Sequence, residues 1–223
     1  GVPSIRSAML HVGFQRTRIV LQQWNQKFAP SRMTLDGRIP DLFMVSSMGM
    51  HSGKALALIR DALRIDEAHR PLIIAGGSHA VYEPWGYFSD NAADPTSADV
   101  VVTGEEYVLL SLLEAILTER APGEPMLSAF RRARDSGALA GISGLVYAPQ
   151  HQRGPVQSLV NTGVQQLLGN LDELPDPVLG YRILEAPSSG AALAPQALAA
   201  NKVRKYSPIS SLVMTFGCKF ACT

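Results

Sequence analysis

Three short apolar runs, separated by loops and amphipathic helices, most constrain what this chain can fold into. The runs occupy residues 41–46, 71–75 and 99–102, and each is apolar almost throughout, as expected of strands buried on both faces. Helical spacing predicts one helix from about 54 to 65 and another from the turn at 103–106 to about Glu119. Alternating strands and helices favour an α/β fold with a doubly wound, mostly parallel sheet.

The segments on either side of these runs are predicted from weaker patterns. Before them, residues 8–12 are predicted to form an opening strand and residues 17–28 a helix. After them, a helix is predicted over about 126–136. It is followed by two strands that pair as a hairpin around a turn at 151–154. These two strands are predicted at 144–147 and 156–160.

A change in composition marks a boundary near Leu171. Prolines cluster just after it, and residues 186–200 are mostly Ala, Pro, Ser and Gly, a composition typical of linkers. We therefore predict a first domain at 1–170, a linker at 171–207 and the start of a second domain at 208–223.

The overall composition excludes some classes of protein. Of the 223 residues, 46% are hydrophobic and 17% are charged, with a net charge of +1, so the chain can bury a core and is not expected to be disordered. The balanced charge provides no electrostatic reason to expect a nucleic-acid partner. Because no apolar run is long enough for a membrane span and no leader pattern opens the chain, a cytoplasmic location is expected.

The loops that follow the three predicted strands are the candidate binding site, because open parallel sheets bind ligands beyond the carboxyl ends of their strands, where the strand order reverses. Their glycines allow a large ligand to approach the backbone closely. The candidate binding residues are Ser46, Ser47, Met48, Gly49, His51, Gly76, Gly77, Ser78, His79, Gly104 and Glu105.

Structural roles for these residues remain open. Thr103 and Glu106 have the spacing of a capping box, and Glu105 suits the positive end of a helix dipole. The histidines are compatible with ordinary solvated or hydrogen-bonded positions, Met48 and Met50 with packing, and the glycine pair with a simple turn.

The two cysteines of the chain lie in its last six residues, after a predicted strand at 210–215. Cys218 and Cys222 form a C-x-x-x-C pattern, which suits thiolates that hold an iron–sulfur cluster at the end of a strand. A zinc site or an unrelated pair of cysteines is also compatible with this spacing. Since two thiolates do not hold either metal firmly, a further ligand is expected after Thr223.

Six motifs in order resemble the cobalamin-binding subclass of radical S-adenosylmethionine enzymes, including members associated with ladderane-type lipid gene clusters. The motifs are Pro40–Ser46, Gly76–Ala80, Ala98–Glu105, Gly144–Tyr147, Leu171–Pro175 and the ending Gly217, Cys218 and Cys222. Two departures stand out. The usual G-E-G-E is Gly104-Glu105-Glu106-Tyr107 here, and the D-x-H-x-x-G motif that offers a histidine to cobalt is absent from the sequence.

The resemblance implies a Rossmann-like cobalamin-binding domain, a linker and the first strand of a truncated radical S-adenosylmethionine barrel. The eleven loop residues would bind cobalamin. Cys218 and Cys222 would bind a 4Fe–4S cluster, with the third cysteine two residues beyond Thr223.

The implied reaction is the reductive cleavage of S-adenosylmethionine to a 5′-deoxyadenosyl radical, followed by methyl transfer to, or rearrangement of, an unactivated carbon. The substrate would be a small molecule, such as a lipid or a secondary metabolite, and the reductant a flavodoxin or ferredoxin. The fragment alone would be inactive. The other hypothesis left open is a non-catalytic module that binds a corrinoid or a nucleotide.

Overall fold

The computed structural model describes most of the chain up to the hairpin and selected segments after it. The described residues are 2–150, 156, 158–166, 168–176, 184–187, 193, 198–199, 201–202 and 205. The predicted turn at 151–154, the strand at 210–215 and both cysteines lie outside them.

The described part is an α/β structure built on one five-stranded sheet. Its strands are β1 (Leu42–Ser46), β2 (Leu72–Gly76), β3 (Val100–Val102), β4 (Leu145–Tyr147) and β5 (Val160–Asn161). Its α-helices are α1 (Val2–His11), α2 (Ser52–Ala62), α3 (Ser78–Tyr82), α4 (Glu106–Glu119) and α5 (Met126–Asp135). Short 3₁₀ helices lie at Pro30–Arg32, Gly49–His51, Pro84–Tyr87 and Leu171–Glu173.

The sheet is mixed but mostly parallel, as predicted. The strands lie in the order β1-β2-β3-β4-β5. The first two pairs are parallel and the last two antiparallel, so four of the five strands run in the same direction. Among the described strands the order follows the chain without a reversal, and the switch point expected of a doubly wound sheet is not formed by them.

Helices cover both faces of the sheet because alternate residues of each strand point to opposite sides. Leu72 and Ile74 pack with α1, α4 and α5, whereas Ile73 and Ala75 pack with α2 and α3 on the other face. All four are at most 3% exposed. Burying a side chain the size of leucine or isoleucine contributes about 1.5–3 kcal/mol, and this two-sided burial explains why the β2 run is apolar throughout.

Both predictions for the first 40 residues are wrong. Residues 8–12 were predicted as a strand, but 8–11 belong to helix α1, in which Ala8 and Met9 are buried and which packs against α4. Residues 17–28 form no helix. Instead the N–H groups of Trp24 and Asn25 both donate to the carbonyl of Leu21 in a single turn, and Ile19 forms an isolated bridge. The packing of α1 on α4 and the bridge of Ile19 to Leu184 are long-range contacts, which local spacing does not reveal.

The antiparallel pairing of the predicted hairpin is confirmed, but the second strand lies at Val160–Asn161, so that only Val160 of the predicted 156–160 belongs to it. β4 and β5 pair antiparallel, but β5 begins at Val160, and the N–H of Val156 donates to Ser89 instead. Part of the predicted linker packs back on the first segment, since Leu184 pairs with Ile19 in the isolated bridge and is 3% exposed.

Candidate functional site

The three predicted binding loops lie along one edge of the sheet. β1, β2 and β3 are parallel neighbours and end at Ser46, Gly76 and Val102. Their carboxyl ends therefore lie side by side, and the loops that follow them start from the same edge.

The first two loops bind each other through their backbones. The N–H of Ser47 donates to the carbonyl of Gly76 over 3.3 Å, and the N–H of His79 donates to the carbonyl of Ser47 over 3.1 Å. Gly77 has a φ of 91°, and a Cβ at this position would lie only 2.7 Å from Oγ of Ser46. The glycine is thus required by the close approach of the protein's own loop.

His79 is buried where these two loops meet a third segment, Pro84–Tyr87. A Cβ added at Gly49 would lie 3.9 Å from its Nδ1, and one added at Gly86 would lie 3.3 Å from its Nε2. Its ring meets Tyr87 edge-on, with the ring centroids 5.2 Å apart. The absence of a side chain at Gly86 makes room for the imidazole, and His79 contacts all three segments.

Tyr87 ties the same segment to the first loop. Its hydroxyl shares a hydrogen bond of 2.7 Å with Oγ of Ser47. Burial raises the pKa of Tyr87, and the hydrogen bond with Ser47 opposes that rise. The first loop is therefore held from two sides, by the β2 loop and by Tyr87.

Large apolar side chains are exposed around this junction. We call them the edge patch: Met48, Met50, Val81, Tyr82 and Trp85, which are 53–82% exposed. The interpretation of Met48 and Met50 as packing residues is therefore wrong. Each patch residue is close in sequence to a residue of the junction: the methionines lie on either side of Gly49, Val81 and Tyr82 follow His79, and Trp85 precedes Gly86. Exposed apolar groups that cluster in this way are typical of a surface that binds a ligand or a partner.

The third loop differs from the other two because a later segment lies over it. A Cβ added at Gly104 would lie 2.5 Å from Oε1 of Gln165, and the same oxygen accepts a 2.7 Å hydrogen bond from the N–H of Glu105. The hydroxyl of Tyr107 donates to the carbonyl of Gln166. Gly104 therefore contacts the protein itself.

The predicted capping box at the start of α4 is wrong. The N-cap residue is Glu105 and the helix begins at Glu106, which leaves Thr103 two residues too early. Its N–H donates to the carbonyl of Gly144 in continuation of the β3–β4 ladder. Burial raises the pKa of Glu105, and the negative charge of Glu106 raises it further.

Several residues of this edge were missed by the sequence analysis. Tyr82, Trp85, Gly86 and Tyr87 follow the second loop directly, and Gln165 lies 60 residues beyond Glu105. Pro84 and Gly86 were a usable signal for a turn directly after the second loop. No local signal identifies Gln165, because its contact depends on the hairpin fold.

Ser46, Ser78 and His51 are the remaining predicted binding residues, and all three are exposed at the same edge. Within the described residues, no group of three or more His, Cys, Asp or Glu side chains is placed to hold a metal ion. Nor is any helix of that part long and apolar enough to cross a membrane.

Comparison of the chain with protein-family models, with curated proteins and with solved structures finds no significant match.

Proposed function

We propose that this chain is the cobalamin-binding part of a cytoplasmic radical S-adenosylmethionine enzyme. The edge patch and the hydroxyls beside it would hold the corrin, and Cys218 and Cys222 would supply the first two thiolates of a 4Fe–4S cluster. The order and spacing of the six sequence motifs support the family, and the edge patch supports the position of the corrin site.

The single observation that carries the corrin site is the exposure of five large apolar side chains at the carboxyl edge of the sheet. Leaving such groups in water is unfavourable by about 25 cal/mol per Å² of apolar surface. A corrin has a broad apolar face that would cover them, and flexible methionine side chains adapt to an irregular surface of this kind.

The rim of a corrin carries amide groups, which need hydrogen-bond partners when the ring is bound. Ser46 and Ser78 are exposed at the same edge, and each hydroxyl can both donate and accept. His79 is buried against two glycines, so we assign to it the positioning of the first two loops beneath the corrin.

The bound cofactors would supply methyl transfer to, or rearrangement at, an unactivated carbon of a small-molecule substrate, with electrons from a flavodoxin or ferredoxin. The residues of this chain would orient the corrin and exclude water from its lower face.

The test of the corrin site uses the whole chain, incubated with hydroxocobalamin and separated by gel filtration with detection of visible absorbance. We expect the corrin colour to elute with the protein. A double variant, Met50→Gln with Trp85→Gln, should weaken binding by about tenfold or more, because it replaces two exposed apolar contacts by polar groups.

Leu117→Gln is the matched control. Leu117 is also an exposed apolar residue, 41% exposed, but it lies on α4 about three turns from the helix start, away from the edge patch. It should bind the corrin like the wild type. Absence of colour in the protein peak, or equal binding by the double variant and the wild type, would overturn the corrin site.

The enzymatic part of the proposal has a separate test. Sequencing the gene beyond the codon for Thr223 should reveal a cysteine two residues on. Any other residue at that position would contradict a radical S-adenosylmethionine motif, and corrin binding alone would then support the non-catalytic module.

A further inference from the structure

A cleft lies at the edge of the sheet opposite the edge patch, where β2 and β3 begin. It has a volume of about 330 Å³, which is within the range of small-molecule sites. Arg70 and Asp99, which precede these strands, line it together with Arg131 and Arg134 of α5. The cleft is therefore separate from the proposed corrin site and chemically unlike the edge patch.

Of the three arginines among the described residues that line this cleft, two are matched by carboxylates that also line it. Arg70 makes a bidentate pair with Asp99, with N–O distances of 2.6 and 2.7 Å. Arg131 is paired with Glu67. The described part of the lining therefore carries one more positive charge than negative, and Arg134 supplies the excess.

Arg134 is the exception because its carboxylate partner lies outside the cleft. Its Nε donates to Asp135 over 2.8 Å, but the side chain of Asp135 is 61% exposed and is not part of the lining. The Arg134 side chain is only 8% exposed. Among the described residues, the hydrogen bond to Asp135 is the one that Arg134 makes, so that its terminal amino groups have no carboxylate or carbonyl partner there.

The positive charge of Arg134 also acts on Tyr147, the last residue of β4, next to the cleft. Burial raises the pKa of Tyr147, and the charge of Arg134 opposes that rise. Ala148, which follows Tyr147, lines the cleft. A largely desolvated guanidinium with unused donors is well suited to an oxyanion, which it binds through two parallel hydrogen bonds.

We propose that this cleft binds a small organic anion, with Arg134 as the residue that holds its oxyanion group. The apolar body of the ligand would pack on Leu63, Ile65 and Phe88, which are among the apolar residues of the wall. Carboxylates and phosphate esters share the required chemistry.

Isothermal titration calorimetry of the whole chain at low salt tests this site with phenyl phosphate, benzoate and the uncharged benzyl alcohol. Either anion should bind at least about tenfold more tightly than benzyl alcohol, and the tighter of the two identifies the headgroup. Arg134→Gln should weaken anion binding by about tenfold or more.

Arg16→Gln is the matched control, because Arg16 also pairs with one carboxylate but is 59% exposed and lies outside the cleft. Chemical-shift mapping of wild-type protein keeps the test decisive if Arg134→Gln is unstable. Shifts at 97–99 and 130–134 on adding phenyl phosphate would support the cleft. Equal binding of benzyl alcohol, unchanged binding by folded Arg134→Gln, or shifts confined to the edge patch would overturn it.

Discussion

Replacement of Gly77 by alanine should destabilise the protein severely, and the structure separates two causes. The first is the backbone. Gly77 has φ 91° and ψ −178°, a region of conformational space that essentially only glycine occupies. Holding another residue there costs about 1–3 kcal/mol.

The second cause is steric. The new Cβ would lie 2.7 Å from Oγ of Ser46 and 2.8 and 2.9 Å from the backbone oxygen and nitrogen of Ser47. The backbone of Ser47 cannot move away freely, since it is bonded to Gly76 and to His79. Forcing extra atoms into such a packed position costs about 1–3 kcal/mol. The two effects together predict a loss of about 4 kcal/mol for Gly77→Ala.

Urea unfolding followed by circular dichroism measures this loss, with two glycine controls. A Cβ on Gly76 would lie 3.5 Å from the carbonyl of Val102, an ordinary contact, so Gly76→Ala should cost less than about 1 kcal/mol. Gly137 has a φ of 82° and open space around it, so Gly137→Ala should show the backbone cost alone, about 1–2 kcal/mol. If Gly77→Ala and Gly76→Ala unfold at the same urea concentration, the reasoning about the loop junction is wrong.

Three further substitutions test the electrostatics and hydrogen bonds. The pKa of Glu105 is raised in the folded state, so ionisation of this carboxyl opposes folding. Stability is therefore lost as the pH rises from the ordinary pKa of a glutamate to the raised pKa of the folded protein. Glu105→Gln should therefore be more stable than the wild type near neutral pH, by a few tenths of a kcal/mol, and equal to it in acid. Thermal melts measured across pH test this. A stability difference that stays constant with pH would contradict the effect of burial and of Glu106. Asp99→Asn should cost about 3–5 kcal/mol in urea unfolding, because it leaves the buried Arg70 without its counter-charge. A loss below about 1 kcal/mol would mean that the pair is solvated. Tyr87→Phe should cost about 1 kcal/mol by differential scanning calorimetry through its lost hydrogen bond, and an unchanged melting temperature would contradict that contribution.

The parallel core was predictable because its signals are local and redundant. β2 and β3 are buried on both faces, and β1 is buried on one face and half-buried on the other, so that almost every residue in these runs is apolar. The helices α2 and α4 show clear helical spacing. In each of these elements, local preference and final environment agree.

The first 40 residues were mispredicted because a short apolar run does not distinguish a strand from a helix. Residues 8–12 contain three apolar positions in a row, which suits a strand. Met9, however, is buried against the helical layer of the sheet, and this tertiary contact selects the helix. Ile19 is likewise determined by its partner Leu184, 165 residues later in the sequence.

The candidate site was predictable as an edge but not in its contacts. The parallel arrangement of β1, β2 and β3 brings the three loops to one edge of the sheet, as expected, and ligand binding at that edge stays a prediction. The sequence pattern does not reveal that Ser46 and Gln165 occupy the space next to Gly77 and Gly104. Nor does it reveal that Met50 is exposed. Exposure of an apolar side chain depends on which segments fail to cover it, and sequence spacing carries no information about this.

Substitutions in the edge patch should not unfold the sheet, because the two edges of the sheet differ in how deeply their side chains are buried. At the amino edge, Asp99 accepts hydrogen bonds from Arg70 and from the N–H of Ile73, which clamps β2 and β3 where they begin. Buried charges of this kind are costly to disturb because each depends on the other. At the carboxyl edge, the patch side chains are mostly in water, and their substitution removes little buried surface. Variants of Met50 and Trp85 should therefore change corrin binding with little loss of stability, unlike variants of Asp99 or Gly77.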